Sequence, residues 1–228
     1  IIEKIKTNKS IDNQTEIQKF CLDKLQSSPL PNPKSEQWRL SNKSKFSNFL
    51  NYSVNEKDPK FDTPFPNTSQ STIRLVIGDN CQINLIEENY SIKQLSDDKL
   101  VKYIKEQISC FDQNENWSDL LNLSLNSTKN TLGFKVSGSE IPPIEIFSHA
   151  SSNSLNAKTL IIFLEKNCDI DLLQVNLGKD NSSLSQSTFL CLEENSSVNH
   201  GVVSYGENKS NLLNSLNVIQ QKNSSYNL

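Results

Sequence analysis

Two histidines, five cysteines and three pairs of adjacent carboxylates are the groups in this chain best suited to acid–base, nucleophilic or metal chemistry. The histidines are His149 and His200, too few for a histidine-rich metal site, although each imidazole titrates near neutral pH. The cysteines are Cys21, Cys81, Cys110, Cys168 and Cys191: an odd count, no CxxC, and no two closer than 23 positions. That spacing is neither a disulfide framework nor a sequence-local zinc site. Their apolar neighbours point to small buried hydrophobes in a reducing compartment. A Cys–His dyad would need distant residues folded together. In Glu87-Glu88, Asp97-Asp98 and Glu193-Glu194, neighbouring acids on a strand face opposite sides, which predicts solvated edges rather than paired acid–base groups. There is no GxxxxGK[ST] phosphate loop, GxGxxG, HExxH or GxSxG. The chain is therefore read as a non-enzyme, with no catalytic or cofactor-binding residue assigned and no metal ligand identified.

His200 is best understood through its neighbours. LEKNCDIDLL begins at Leu164 and LEENSSVNHG at Leu192, 28 positions later, and KNSSYNL carries the same pattern another 28 positions on. Asn167, Asn195 and Asn223 are thus in register. An earlier relative, DNCQINL, aligns Asn80, Cys81, Ile83 and Leu85 with Asn167, Cys168, Ile170 and Leu172. Asparagine tolerates left-handed backbone and suits turns. The alternating residues that follow it make a strand with one buried face. One such unit cannot bury that face alone, whereas stacked units can, which is the logic of a β-solenoid. His200 then takes the slot of Leu172 in the preceding unit and Leu228 in the next. That makes it a rung residue, partly buried or facing a neighbouring subunit; the alternative is a functional imidazole that titrates or binds metal.

The elements around the repeat follow from local patterns. Asn13 with Glu16 resembles a capping box before Ile17, Phe20, Cys21 and Leu25, which recur at helical spacing on one face. Prolines give residues 26–40 an extended path, and residues 51–70 read as a loop. Residues 74–85 turn strand-like; Ser96 caps a helix with acidic Asp97 and Asp98 in its first turn, and Leu100, Ile104, Ile108 and Phe111 line one side. A further short helix is predicted over residues 118–125. From about Lys129 the helical period vanishes and short runs take over: GFKV, IEIF, TLIIFL, DIDLLQV, TFLCL and VNHGVV. The predicted organisation is a helix-rich region at 1–128, with a short strand segment and a Pro/Asn/Ser-rich loop, and a solenoid core at 129–228. A net charge of −3 with no basic cluster disfavours nucleic acid. The longest aliphatic and aromatic run, LIIFL, is too short to span a bilayer, and IIEKIKTNKS has no signal-peptide pattern, so the cytoplasm is the expected compartment.

Two segments carry a family resemblance. PNPKSEQWRLSN (31–42) resembles an N-terminal signature of the SufB/SufD family of iron–sulfur cluster assembly proteins, with a Pro-containing stretch, Trp-Arg and a Ser-Asn pair. LGFKVSGSEIPP (132–143), residues 157–175 and residues 187–228 follow that family's core in order and spacing, LEENSSVNHGVVS and NSLNVIQQKNSSYNL above all. The short N-terminal region and Trp38-Arg39 favour the SufD branch over SufB. The resemblance implies a helical N-terminal region, a right-handed parallel β-helix and a non-catalytic scaffold that pairs with SufB and with the ABC-type ATPase SufC. It implies no cofactor held tightly by this chain alone, and iron or a transient cluster at the level of the complex. Family members continue beyond the position of Leu228 with more β-helix turns and C-terminal helices, so the core is expected to be incomplete here and no site residue is carried over. A generic solenoid binding module and a carbohydrate-processing β-helix enzyme are the other readings; the latter would need an acidic cluster on one solenoid face.

Overall fold

The computed structural model describes residues 15–27, 48–54, 72–78, 83–111, 116–126 and 130–228. Trp38, Asn13, Cys81 and the rest of the 31–42 signature lie outside them, as does most of the 51–70 loop. Among the described residues there are three helices: α1 (Glu16–Ser27), α2 (Asp97–Cys110) and α3 (Trp117–Leu125). The strands are β1 (Ile73–Val76), β2 (Asn84–Ile86), β3 (Tyr90–Gln94), β4 (Thr131–Gly138), β5 (Ile144–Ala150), β6 (Leu155–Leu164), β7 (Asp169–Gly178), β8 (Ser183–Leu192), β9 (Ser197–Gly206), β10 (Asn211–Gln220) and β11 (Ser225–Asn227).

From β4 onward, successive strands fall alternately into two sheets. One has the order β1-β5-β7-β9-β11 and the other β10-β8-β6-β4-β3-β2. The six apolar runs picked out above fall one each on β4 to β9. Pairing is parallel with a constant offset of 28: Thr131 with Thr159, Leu155 with Ser183, Leu172 with His200, Asn211 with Ser183. The result is a β-solenoid of about three turns.

The true unit is half the repeat read from the sequence. Positive φ recurs at Asn153, Asn167, Asn181, Asn195, Lys209 and Asn223, at intervals of 14 residues. Each such residue sits in a four-residue corner between strands. The following Ser accepts this geometry by donating its hydroxyl to the carbonyl three residues back: Ser154 to Ser151, Ser182 to Lys179, Ser196 to Glu193, Ser210 to Glu207 and Ser224 to Gln221, at 2.6–2.8 Å. Cys168 takes the serine position at the remaining corner and is buried. The corners also continue the ladder, since the amide of Asn167 donates to Glu194 O and that of Asn195 to Lys222 O. The amides of Asn153 and Asn181 do the same, to Asp180 O and Asn208 O.

Leu132, Phe134, Val136, Ile144, Ile146, Leu160, Ile162, Leu164, Ile170, Leu172, Leu190, Leu192 and Val198 fill the space between the sheets. The helices cover the outer face of the sheet containing β6, where Leu155, Ala157, Ile161 and Phe189 join Leu25, Ile104, Ile108, Leu120 and Leu121 in a second core. Helix α3 is tied down by polar contacts as well. Asn122 Nδ2 donates to Lys158 O and Thr159 Oγ1, and Asp119 accepts from Ser187 Oγ (2.7 Å), Ser215 Oγ and Asn217 Nδ2 (3.1 Å). One buried carboxylate thus spans two coils, held by neutral donors.

Several expectations need correction. DNCQINL does not open an early coil: β2 runs antiparallel to β3, which runs antiparallel to β4, and Leu85 is exposed while Ile83 is buried. β1 pairs in parallel with β5. The cap of α1 among the described residues is Thr15 with Gln18, each side chain bonding the other's backbone amide. Phe20 lies on the exposed side of that helix, with Lys24 over its ring, because the buried stripe is Gln18, Cys21, Leu22 and Leu25. Ser96 occupies the N-cap of α2 without a side-chain cap bond.

Two outcomes follow. Asn195→Val should lower stability by about 1–2 kcal/mol in urea unfolding, since a β-branched residue resists left-handed backbone, whereas Asn195→Gly should cost far less. Asp119→Ala should cost about 2–3 kcal/mol by leaving three donors without their acceptor, and Asp119→Asn less.

Candidate docking edge

The chemistry-bearing residues are dispersed by the fold. His149 is on β5 and His200 on β9, with β7 between them in the sheet. Cys21 is fully buried among the helices, and burial pushes its thiol up to about 12. Cys191 Sγ meets the Tyr103 hydroxyl at 2.9 Å, and burial raises both groups. Cys168 is buried at a corner, its thiol also raised mainly by desolvation. Cys110 is exposed, which departs from the expectation that all five are buried. The acidic pairs sit at turns and ends, not within strands: Glu87-Glu88 between β2 and β3, Asp97-Asp98 in the first turn of α2, and Glu193-Glu194 at a corner, where Glu194 bridges Lys166 at 2.9 Å. Among the described residues no group of three or more His, Cys, Asp or Glu is placed to hold a metal ion. None of the described helices is long and apolar enough to cross a membrane.

What the fold does concentrate is hydrogen-bonding edge. β10 ends its sheet, and β11 covers β9 only at 197–199. Among the described residues, the ten of β10 and the rest of β9 have no strand beyond them. At ~3.3 Å per residue, β10 alone offers about 33 Å of ladder. Its sequence, NLLNSLNVIQ, has no charge and no proline, the devices that usually blunt an edge. Val202 (40% exposed), Val203 (45%), Tyr205 (59%), Leu216 (37%) and Ile219 (43%) gather there, most of the large exposed hydrophobics of the described residues.

Side-chain ladders also run up to this end. Asn195 Nδ2 donates to Asn167 Oδ1 and Asn223 Nδ2 to Asn195 Oδ1, both at 3.2 Å. Asn199 donates to Asp171 and Asn227 to Asn199, at 3.0 and 3.1 Å. Every step repeats the same amide geometry, so the topmost rung presents the pattern that a further strand of the same kind would meet.

His200 lies just inside this edge, in the slot its register predicts, opposite Leu172. It is 3% exposed; Nδ1 meets the Tyr226 hydroxyl at 2.9 Å, and buried Nε2 has no partner. Burial lowers its pKa from the usual 6.5 to about 4. A groove of about 590 Å³ beside it is lined by Pro143, Glu145, Asp171, Leu173, Asn199 and Gly201 among others. Glu145 is tied to Arg74 at 2.6 Å, which leaves Asp171 as the other carboxylate there.

The feature missed in the sequence was the clasp of Asp119, whose partners lie 68 to 98 residues away. The run 211–220 is neutral, lacks proline, and follows the corner GENKS in phase with GKDNS. No family model matches the chain, and no curated protein or solved structure matches it.

Replacing Leu216 and Ile219 together by lysine should leave the urea midpoint within about 0.5 kcal/mol of the parent, as for other exposed positions. The same change should raise the concentration at which light scattering still reports a monodisperse chain. Leu190→Ala, inside the coil, should instead cost about 2–5 kcal/mol.

Proposed function

We propose that this chain is a non-catalytic scaffold subunit of a SufBCD-type complex for iron–sulfur cluster assembly, of the SufD branch. The observation that carries the reading is the place of the resembling segments. LGFKVSGSEIPP falls on β4 and the corner after it, and LEENSSVNHGVVS and NSLNVIQQKNSSYNL fall on β8 to β11, so the likeness follows consecutive coils of a β-solenoid. A right-handed winding belongs to this reading; it is the sense of nearly all parallel crossovers. A scaffold must offer rigid, geometrically regular surface to other proteins, and stacked coils of one length supply it. ATP would be hydrolysed by SufC, in keeping with a sequence that has no phosphate loop. Iron or a nascent cluster would be held by the complex, and the work would take place in the cytoplasm.

The test is co-expression of the gene product that carries this sequence with SufB and SufC from the same source, followed by sizing and mass measurement of what co-purifies. Entry into a stable assembly with SufB supports the reading. Absence of any association with either protein overturns it.

A further inference from the structure

We propose that a single water molecule is a fixed part of this fold, held in a cavity where α1, α2, α3 and β4 meet. This inference stands apart from the scaffold reading. The cavity measures about 30 Å³, and its lining includes Gln18 of α1, Val101 of α2, Leu123 of α3, Thr131 of β4 and Asn126, the C-cap of α3. That volume is about the share of one water in the liquid and far below what a small-molecule ligand fills. The observation that points to an occupant is an orphaned acceptor. Asn126 is 6% exposed, and its other polar groups are all used. Nδ2 donates to Thr131 Oγ1 at 2.9 Å and to Thr159 Oγ1 at 2.6 Å, the main-chain amide donates to Asn122 O at 2.8 Å, and the main-chain carbonyl accepts from Gln18 Nε2. Oδ1 alone is buried with no protein partner.

A buried amide oxygen left in that condition is costly, so the site calls for a donor no larger than a water. An internal water makes about three hydrogen bonds, and the same lining has the capacity for them. Thr15 Oγ1 accepts from the Gln18 amide at 3.3 Å and still has a lone pair and its own proton to offer. Gln18 Nε2 spends one proton on Asn126 O and keeps the other. A monovalent cation would also satisfy an amide oxygen, but hard cations gather about six oxygens. Five of the ten lining residues are aliphatic, and Asp97, the single charged one, is exposed. The lining therefore suits a neutral molecule.

The water joins the end of α3 to α1 across the seam that Gln18 already closes with its bond to Asn126 O. That role has a consequence opposite in sign to ordinary packing. Filling a dry cavity with carbon stabilises a protein. Filling this one displaces a bonded water and strands Asn126 Oδ1, so it destabilises.

The test compares the parent chain with Val101→Ile, which adds one methyl group to the cavity lining. Rotating-frame Overhauser peaks should run from the water line to the Leu123 methyls in the parent and vanish in the variant. Oxygen-17 relaxation dispersion, which reports water and not hydroxyl groups, should lose the amplitude of one long-lived molecule, and the urea midpoint should fall. A folded variant with unchanged oxygen-17 amplitude overturns the proposal, as does a raised midpoint, the mark of a dry cavity. If Val101→Ile does not fold, the parent's Leu123 peaks decide: their presence supports the bound water and their absence overturns it. A last arm separates water from a cation. With tetramethylammonium as the only cation the Asn126 side-chain amide signals should be the same as in sodium or potassium, and a shift on adding either ion assigns the site to the ion instead.

Discussion

Everything in this molecule depends on each corner reversing the chain in a fixed number of residues. Parallel rungs can stack only if every coil has the same length, because a one-residue slip turns each side chain to the opposite face. The left-handed residue is what fixes that length. A non-glycine residue in this conformation is unfavourable, and asparagine bears it best because its short amide can bond locally. Five of the six corner positions at 14-residue intervals are accordingly Asn, with Lys209 the exception. The one irregular corner is informative. Glu140, the preceding left-handed non-glycine residue, lies 13 rather than 14 positions before Asn153, and Pro142 and Pro143 follow it. There β5 is seven residues long instead of ten, and β1 pairs with it as the sheet's first strand. The coil loses its strict length where it meets the strands that precede it.

Stacking of this regularity also decides where polar groups can be buried. Gln174, Asn176, Gln186, Ser148 and Thr188 are buried, and they bond one another: Ser148 to Gln186, Thr188 to Gln174, Gln174 to Asn176. Lys158 is fully buried and donates to Ile77 O and Asn130 Oδ1. Such groups are costly unless paired, and their pairing is met in one register only. The apolar column beside them would tolerate several registers. The polar one binds β6 and β8 to β5, β7 and the residues after β1, so the strands at 73–94 and the coils form one continuous stack. Asp119 does the same from outside, since its three donors come from two different coils.

The legible part of this fold was the part governed by local repetition. Asn167, Asn195 and Asn223 stood out because LE-x-N precedes each of the first two, and the deduction that His200 shares a column with Leu172 needed only that spacing. The half-turn was harder to see because its corners at Asn153, Asn181 and Lys209 are preceded by different residues, Gly178 and Gly206 among them. Those glycines answer a tertiary demand: a Cβ on Gly206 would meet Ser210 Oγ at 2.1 Å. DNCQINL misled for a related reason. Its apolar alternation matches a coil strand, but strand direction is set by pairing partners, and Tyr90–Gln94 folds back on it instead. The clasp of Asp119 was illegible because its partners lie 68 to 98 residues away.

The direction in which this surface can be extended is built into the stack. At the end next to β4, β3 runs antiparallel and β2 closes a hairpin on it, which breaks the parallel register on which the amide ladders rely. A strand added there would meet Asn84, Leu85 and Ile86 of a short three-residue edge. At the β10 and β11 end the register is intact: ten backbone positions, the Asn223 and Asn227 amides, and exposed Leu216 and Ile219 all present the spacing of the coil below. An incoming strand would therefore gain main-chain bonds, amide bonds and apolar contact together at one end and only a fragment of them at the other. The corner that sets the coil length is thus also what keeps successive rungs in line, so that each coil meets the next with main-chain, amide and apolar groups at one spacing.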